Sequence, residues 1–330
     1  MKRRIPTLLA LPVLAIATAF TVSSPATAAS SKYTLVTEPT DNYQAIYSLI
    51  KSAQSSIDMT MYELTDSTAE SDLASAAGRG VTVKVILDVN REKSNNQSAF
   101  TYLQSHGVQV VWAPTTYAAT HQKTITVDGT TAAIMSGNLT SQYYSTSRDF
   151  AVLDTNLVDI AAITKVFNAD FAGTAITPTD GDNLVWSPTD AQTKLLALIN
   201  SATSTLSVEN EEMADTAITN ALVAAAKRGV AVEVTMTANS SYDTAFNELV
   251  AAGAKVHLYA ATASLYIHAK VIDVDAALSA HRDYVGSINF SDYSMNKNRE
   301  LGFISSDTAI DAGLDSTLAA DFAGGTNYAG

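Results

Sequence analysis

One unit is written twice in this chain, and that duplication constrains the fold more than any other feature. The segment "IKSAQSSIDMTMYELTD" at 50 to 66 returns as "INSATSTLSVENEEMAD" at 199 to 215. "LASAAGRGVTVKVILD" at 73 to 88 returns as "LVAAAKRGVAVEVTMT" at 222 to 237, and "YLQSHGVQVVWA" at 102 to 113 as "LVAAGAKVHLYA" at 249 to 260. Each copy predicts the same run of elements. A helix ends at the Ser-Ala of "KSAQ" or "NSAT" and leads into an alternating strand. A second helix ends at the Arg-Gly of "GRGV" or "KRGV", where glycine suits a left-handed cap. A buried strand follows, then a helix closed by Gly107 or Gly253, then a further strand.

Strands alternating with helices imply an α/β fold. The expected architecture is two homologous α/β/α sandwich halves, each a mixed sheet flanked by helices, related by a pseudo-twofold axis with the site at their interface. The boundaries expected are 29–175 and 176–330, joined through "TAITPTDGDN" at 174 to 183. Residues 1–28 read as a signal peptide: Lys2, Arg3 and Arg4, an apolar run from Ile5 to Phe20, and small residues up to Ala28. The mature protein is therefore expected to be secreted. The chain has no cysteine, which excludes a disulfide framework, thiolate catalysis and thiolate metal sites. Its net charge of −13 is a poor field for a polyanion such as duplex DNA.

Inside the repeat, "THQKTITVDG" at 120 to 129 and "IHAKVIDVD" at 267 to 275 give His121, Lys123 and Asp128 the same spacing as His268, Lys270 and Asp275. Downstream, "MSGN" at 135 to 138 corresponds to "GSIN" at 286 to 289, and "SRDFAVL" at 147 to 153 to "NRELGFI" at 298 to 304. With its doubled His-x-Lys-x4-Asp, Gly-Ser-x-Asn and following acidic residue, the chain resembles the phospholipase D superfamily over nearly its whole mature length. Met135 departs from the family pattern, which has glycine there.

Strand alternation puts each histidine on the same side as its lysine. Two histidines, two lysines and two asparagines converging on one pocket fit a phosphodiester. A neutral imidazole can attack phosphorus while a protonated one gives its proton to the leaving alkoxide. The lysines supply positive charge, and Asn138 and Asn289, with Ser136 and Ser287 beside them, are expected to bind the phosphoryl oxygens. The scheme requires no metal and no cofactor.

The resemblance implies finer roles. His121 would be the nucleophile that forms a phosphohistidine, and His268 the general acid and then the base for water. Each histidine needs a carboxylate on its other nitrogen. Glu300 is expected behind His121 and Asp149 behind His268. Asp128 and Asp275 have the opposite strand parity, and although they complete the motifs they are expected to hold turn geometry. His106, His257 and His281 read as ordinary: one before a helix-ending glycine, one in a strand, one in a polar turn.

The substrate expected is a phospholipid such as phosphatidylcholine, hydrolysed to phosphatidic acid and choline, with transfer to alcohols as a side reaction. Tyr117, Tyr143, Tyr144, Leu265, Tyr266, Tyr293 and Met295 are expected to rim the pocket and suit an interfacial substrate. The alternative is an exported endonuclease on DNA or RNA, which the scarcity of Lys and Arg disfavours. A binding module that lost activity is disfavoured because both motifs are intact. The protein is expected to act as a monomer with transient contact to a membrane surface.

Overall fold

The computed structural model describes Met1 and residues 31–330, so the expected leader, apart from Met1, lies outside the described residues. The N-terminal copy runs β1 (Tyr33–Glu38), α1 (Gln44–Ser52), β2 (Ser56–Met61), α2 (Ser67–Gly78), β3 (Thr82–Leu87), α3 (Lys93–Ser105), β4 (Gln109–Trp112), β5 (Thr124–Val127), β6 (Thr131–Met135), β7 (Ser147–Asp154) and α4 (Leu157–Phe171). The C-terminal copy runs β8 (Leu184–Ser187), α5 (Ala191–Ser201), β9 (Thr205–Asn210), α6 (Thr216–Lys227), β10 (Ala231–Thr237), α7 (Asp243–Ala251), β11 (Lys255–Tyr259), β12 (Tyr266–Ile267), β13 (Lys270–Val274), β14 (Arg282–Gly286), α8 (Asp292–Asn296), β15 (Glu300–Ser305), α9 (Thr308–Gly324) and β16 (Thr326–Asn327).

The local signals act in pairs. Asp66 and Asp215, the last residues of the first repeated segment, cap α2 and α6 by accepting the N–H of Thr68 and of Ile218. Gly80 and Gly229 after those helices have φ of 91° and 93°, and Gly107 and Gly253 after α3 and α7 have 83° and 97°. These are left-handed conformations that a side chain would strain.

The two sheets have the same order. One reads β1-β7-β6-β5-β2-β3-β4, and the other, from its opposite edge, β8-β15-β14-β13-β9-β10-β11, with β16 added at its end. In each, the three strands joined through helices are parallel, and the other neighbours in that order pair antiparallel. Each half has its own apolar core. A third core joins them: Ile134, Phe150 and Val152 of one sheet, Val271, Val285 and Phe303 of the other, and Ile163, Ile310 and Leu314 from helices α4 and α9. Burying that shared surface is what holds the two motif segments in one register.

The chain also exchanges backbone across the halves. β12 leaves its own sheet to pair in parallel with β7 through Tyr266↔Ser147 and Ile267↔Arg148. The matching residue of the first copy, Thr120, bridges Arg299 in the same sense. The histidines therefore do not lie within regular strands as the alternation predicts. His121 and His268 sit in extended breaks just after these bridges, where His121 N–H donates to Arg299 O at 3.0 Å and His268 N–H to Arg148 O at 3.2 Å.

Met135 also has a physical account. A Cβ on Gly286 would come within 2.5 Å of Gly302 Cα and 2.7 Å of the Tyr284 hydroxyl. In the first copy the corresponding residues are Met135, Ala151 and Ala133, so the space filled by one buried tyrosine against two glycines is filled instead by a methionine against two alanines.

Candidate active site

The two motif histidines open onto one cleft of about 650 Å³, lined by residues from both halves. Each ring is held from behind by a carboxylate of the opposite copy. His121 Nδ1 lies 2.9 Å from Glu300 Oε2, and His268 Nδ1 lies 2.8 Å from Asp149 Oδ1. A carboxylate on Nδ1 fixes the tautomer and leaves Nε2 for chemistry. Glu300 and Asp149 are almost fully buried. Burial pushes both carboxyls up, yet the adjacent imidazoles and lysines outweigh it and hold them below their usual values. His121 is shifted downward, chiefly by burial, with Glu300 opposing.

Arg148 and Arg299 flank these carboxylates in sequence but face the other way. Arg148 pairs with Asp321 of α9, its Nη2 donating at 2.9 Å, and Arg299 sits 2.9 Å from Asp170 of α4. Alternation in β7 and at the start of β15 thus sends the acid to the histidine and the arginine to the supporting helix.

Lys123 and Lys270 are buried beneath the histidines, with Lys123 Nζ donating to His121 O at 2.7 Å and Lys270 Nζ to His268 O. Burial, with the charge of Lys270 nearby, brings Lys123 down to about 7. Asn138 and Asn289 line the cleft.

The serines do not. Ser136 Oγ donates to Asp149 Oδ1 at 2.6 Å and accepts from Phe150 N–H, while Ser287 Oγ bonds the Leu301 backbone. Both are fully buried, so the expectation that they bind substrate is corrected: their loops turn them inward against β7 and β15. In the first of these loops Gly137 is required, because a Cβ there would stand 1.9 Å from the Tyr43 hydroxyl.

Asp128 and Asp275 also stay outside the cleft. Asp128 accepts the N–H groups of Gln54, Ser55 and Ser56 at 2.9, 2.7 and 2.9 Å, and Asp275 those of Thr203, Ser204 and Thr205. Both have positive φ, 52° and 57°, a conformation aspartate tolerates. They clamp the loop entering β2 or β9 and cannot act on substrate directly.

The sequence reading missed Glu211. Its Oε2 lies 3.0 Å from Lys270 Nζ, 3.2 Å from Asn289 Nδ2 and 3.5 Å from His268 Nε2. Burial pushes this carboxyl up, but Lys270 and His268 hold it well below the usual range. The first copy has Tyr62 there, edge-on to His121 at 4.5 Å between centroids, with Lys123 Nζ 4.9 Å over its ring. The signal was available, since the two copies differ at this position within a quoted repeat.

Of the expected rim, Tyr143, Tyr144 and Tyr266 line the cleft, joined by Tyr43 and Tyr62. Met295 is instead buried in the core, Tyr117 donates its face to Arg299, and Tyr293 and Leu265 lie outside the lining. Glu63, Glu211 and Glu212 complete the wall, and among the described residues no lysine or arginine lines it.

The family model described as "Cardiolipin synthase, PLD-like domain" matches the chain twice, over residues 46–171 and 195–322. No curated protein matches the chain. Among solved structures it is similar to polyphosphate kinase from Porphyromonas gingivalis, with a TM-score of 0.70 and 14% identity over 87% of this chain and 46% of that one. The chain thus spans about half the length of that kinase. It is similar to phosphatidylserine synthase from Haemophilus influenzae, with a TM-score of 0.69 and 10% identity over 88% and 86% of the two chains. Nuc from Salmonella typhimurium, a phospholipase D family member, is 24% identical over 44% of this chain and 95% of that one, with a TM-score of 0.40. At these identities the two likenesses with TM-scores of 0.70 and 0.69 speak for the fold alone.

Proposed function

The chain belongs to the phospholipase D superfamily, through its cardiolipin synthase-type PLD-like domain, and from that footing we propose that it is a phosphodiesterase that hydrolyses phospholipids carrying a cationic head group, such as phosphatidylcholine. The observation that carries the lipid reading is the wall of the cleft, which among the described residues has five tyrosines and three glutamates and no lysine or arginine. Such a wall gives a polyanion nothing to replace its counterions, whereas tyrosine faces and carboxylates suit a quaternary ammonium.

The chemistry follows from the two histidines. Neutral His121 attacks phosphorus through Nε2 while the bond to the head-group oxygen breaks, and His268 gives its Nε2 proton to that oxygen. A phosphatidyl–His121 intermediate and the free alcohol result. His268, now neutral, takes a proton from water, whose oxygen attacks phosphorus and releases His121. An alcohol in place of water gives the transfer product. The lowered basicity of His121 keeps it unprotonated at neutral pH. In this scheme the amides of Asn138 and Asn289, which line the cleft, donate to the phosphoryl oxygens. The leader reading adds export to this proposal.

The test incubates the chain lacking residues 1–28 with phosphatidylcholine vesicles and a little ethanol, beside His121→Ala and a parallel single-stranded DNA reaction. Phosphatidic acid and phosphatidylethanol from the wild type alone are expected. Cleaved DNA with untouched lipid would move the same histidines to a nuclease and sink the lipid assignment.

A further inference from the structure

Four side chains that carry metal-ligand atoms meet on the C-terminal sheet about 10 Å along β13 from Lys270. His281, Asp283 and Asp311 each bring a ligand-type atom within 4.8 Å of the others, and all three are buried. Asp273 faces Asp283 across the β13–β14 ladder and is equally buried. His281 Nε2, both carboxylate oxygens of Asp273 and of Asp283, and Oδ1 of Asp311 have no hydrogen-bond partner.

Buried carboxylates without partners are costly, and like charges directly opposite on paired strands repel. The fold does not itself demand them. In the N-terminal copy the corresponding opposed pair is Thr126 and Ala132. The other atoms of the cluster are already spoken for in a way that frees these. His281 Nδ1 donates to Leu278 O at 2.8 Å, which leaves the lone pair on Nε2, the arrangement of a ligating histidine whose second nitrogen is anchored to a carbonyl. Asp311 Oδ2 accepts the N–H of Ala277 at 3.2 Å, which leaves Oδ1. An imidazole nitrogen among carboxylate oxygens selects a borderline ion such as Zn²⁺ over Ca²⁺ or Mg²⁺.

We propose that His281, Asp283 and Asp311, with Asp273 beside them, form a structural divalent-metal site of the zinc type. It ties the β13–β14 hairpin, the loop from 275 to 281 and the first turn of α9 together, and so steadies the strand that leads into Ser287 and Asn289. His281 reads from sequence as a turn residue because its partners are spread over nearly forty positions.

The test strips the chain with chelator and titrates it with ZnCl2, reading binding by calorimetry and unfolding by differential scanning fluorimetry. One ion per chain is expected, with a rise in Tm of about 5–10 °C at a thousandfold excess over Kd. His281→Ala and Asp283→Ala should each lose both effects. The double variant His121→Ala/His268→Ala should keep them, which separates this site from an ion held by the catalytic histidines. Zinc should bind at least tenfold more tightly than Ca²⁺. Absence of saturable binding in the wild type, binding undiminished in His281→Ala, loss in the catalytic double variant, or calcium binding as tightly as zinc would each overturn the proposal. No readout is turnover, so the outcome is independent of the substrate reading.

Discussion

Tyr62 and Glu211 hold the same position in the two halves and face opposite members of the histidine pair: the tyrosine ring packs edge-on against His121, and the carboxylate reaches His268 Nε2 at 3.5 Å. A duplicated fold supplies two equivalent imidazoles, and this position gives them different neighbours: an aromatic ring against the histidine of the first copy and a carboxylate against that of the second.

Glu211 Oε2 also touches Lys270, buried below the cleft, and Asn289, the amide that the proposed reaction offers to a phosphoryl oxygen. A fixed negative charge there discriminates against dianions more than against monoanionic diesters. Glu211→Gln should tighten inhibition by inorganic phosphate about tenfold at pH 8, with a smaller change in KM for a diester. Glu212→Gln, in the same cleft but away from those donors, serves as the control. Equal tightening in both variants would mean that only the general field had changed.

Glu300 raises the basicity of His121 against the larger opposing effect of burial. In the proposed reaction His121 must be unprotonated to attack, so activity should fall on the acid side as pH drops through its lowered pKa, with the acid limb of kcat/KM below the ordinary histidine value of about 6.5. Glu300→Gln removes the charge that opposes burial, so the limb should move to still lower pH while kcat falls about 10²–10⁴-fold through lost orientation. A limb displaced to higher pH would contradict the assignment of His121 as the titrating nucleophile.

Much of the fold was legible because the repeat carries its own punctuation: the caps Asp66 and Asp215 and the glycines at 80, 107, 229 and 253 mark element ends in both copies. What strand alternation could not give was the exchange between halves. The pairing of β12 with β7 is long-range, and nothing local to "YIHAK" says that its partner lies in the other copy. Ser136 and Ser287 were misplaced for a related reason, since a motif gives spacing but not the sense in which a loop turns. Glu211 was visible only as a difference between the copies, where identities draw the eye.

Asp128 accepts three backbone N–H groups and the Ser55 hydroxyl, and these hold its carboxyl at about 2 despite some desolvation. A folded-state pKa below the unfolded value means the stabilisation is present above about pH 4 and is lost as pH falls toward 2. Asp128→Ala should cost about 1 kcal/mol at pH 7, the screened part of that shift, with the difference from wild type shrinking toward pH 2, and should leave kcat of the folded fraction within about threefold. Urea unfolding at several pH values measures the first, and initial rates at low temperature the second. A kcat loss of several orders of magnitude with unchanged stability would return Asp128 to the chemistry.

Glu38 presents the opposite sign. It lies across the ladder from Asp149, its Oε1 accepts the Tyr43 N–H at 2.9 Å, and its Oε2 has no partner. Burial, with neighbouring acids adding to it, pushes this carboxyl up to about 7. A folded-state pKa above the unfolded one means that the protonated form stabilises the fold fully below about pH 4.5, and that this contribution is lost as pH rises through 7. Glutamine keeps the acceptor for Tyr43 and cannot ionise. Glu38→Gln should therefore match the wild type near pH 5 and exceed it by about 2–3 kcal/mol near pH 8, as read from urea midpoints. Because the charge that is removed faces Asp149, the variant should also lose less activity than the wild type on prolonged incubation at pH 8. Stability curves that run parallel across this range would show that Glu38 is ionised throughout, and that its burial beside Asp149 is balanced by some other group.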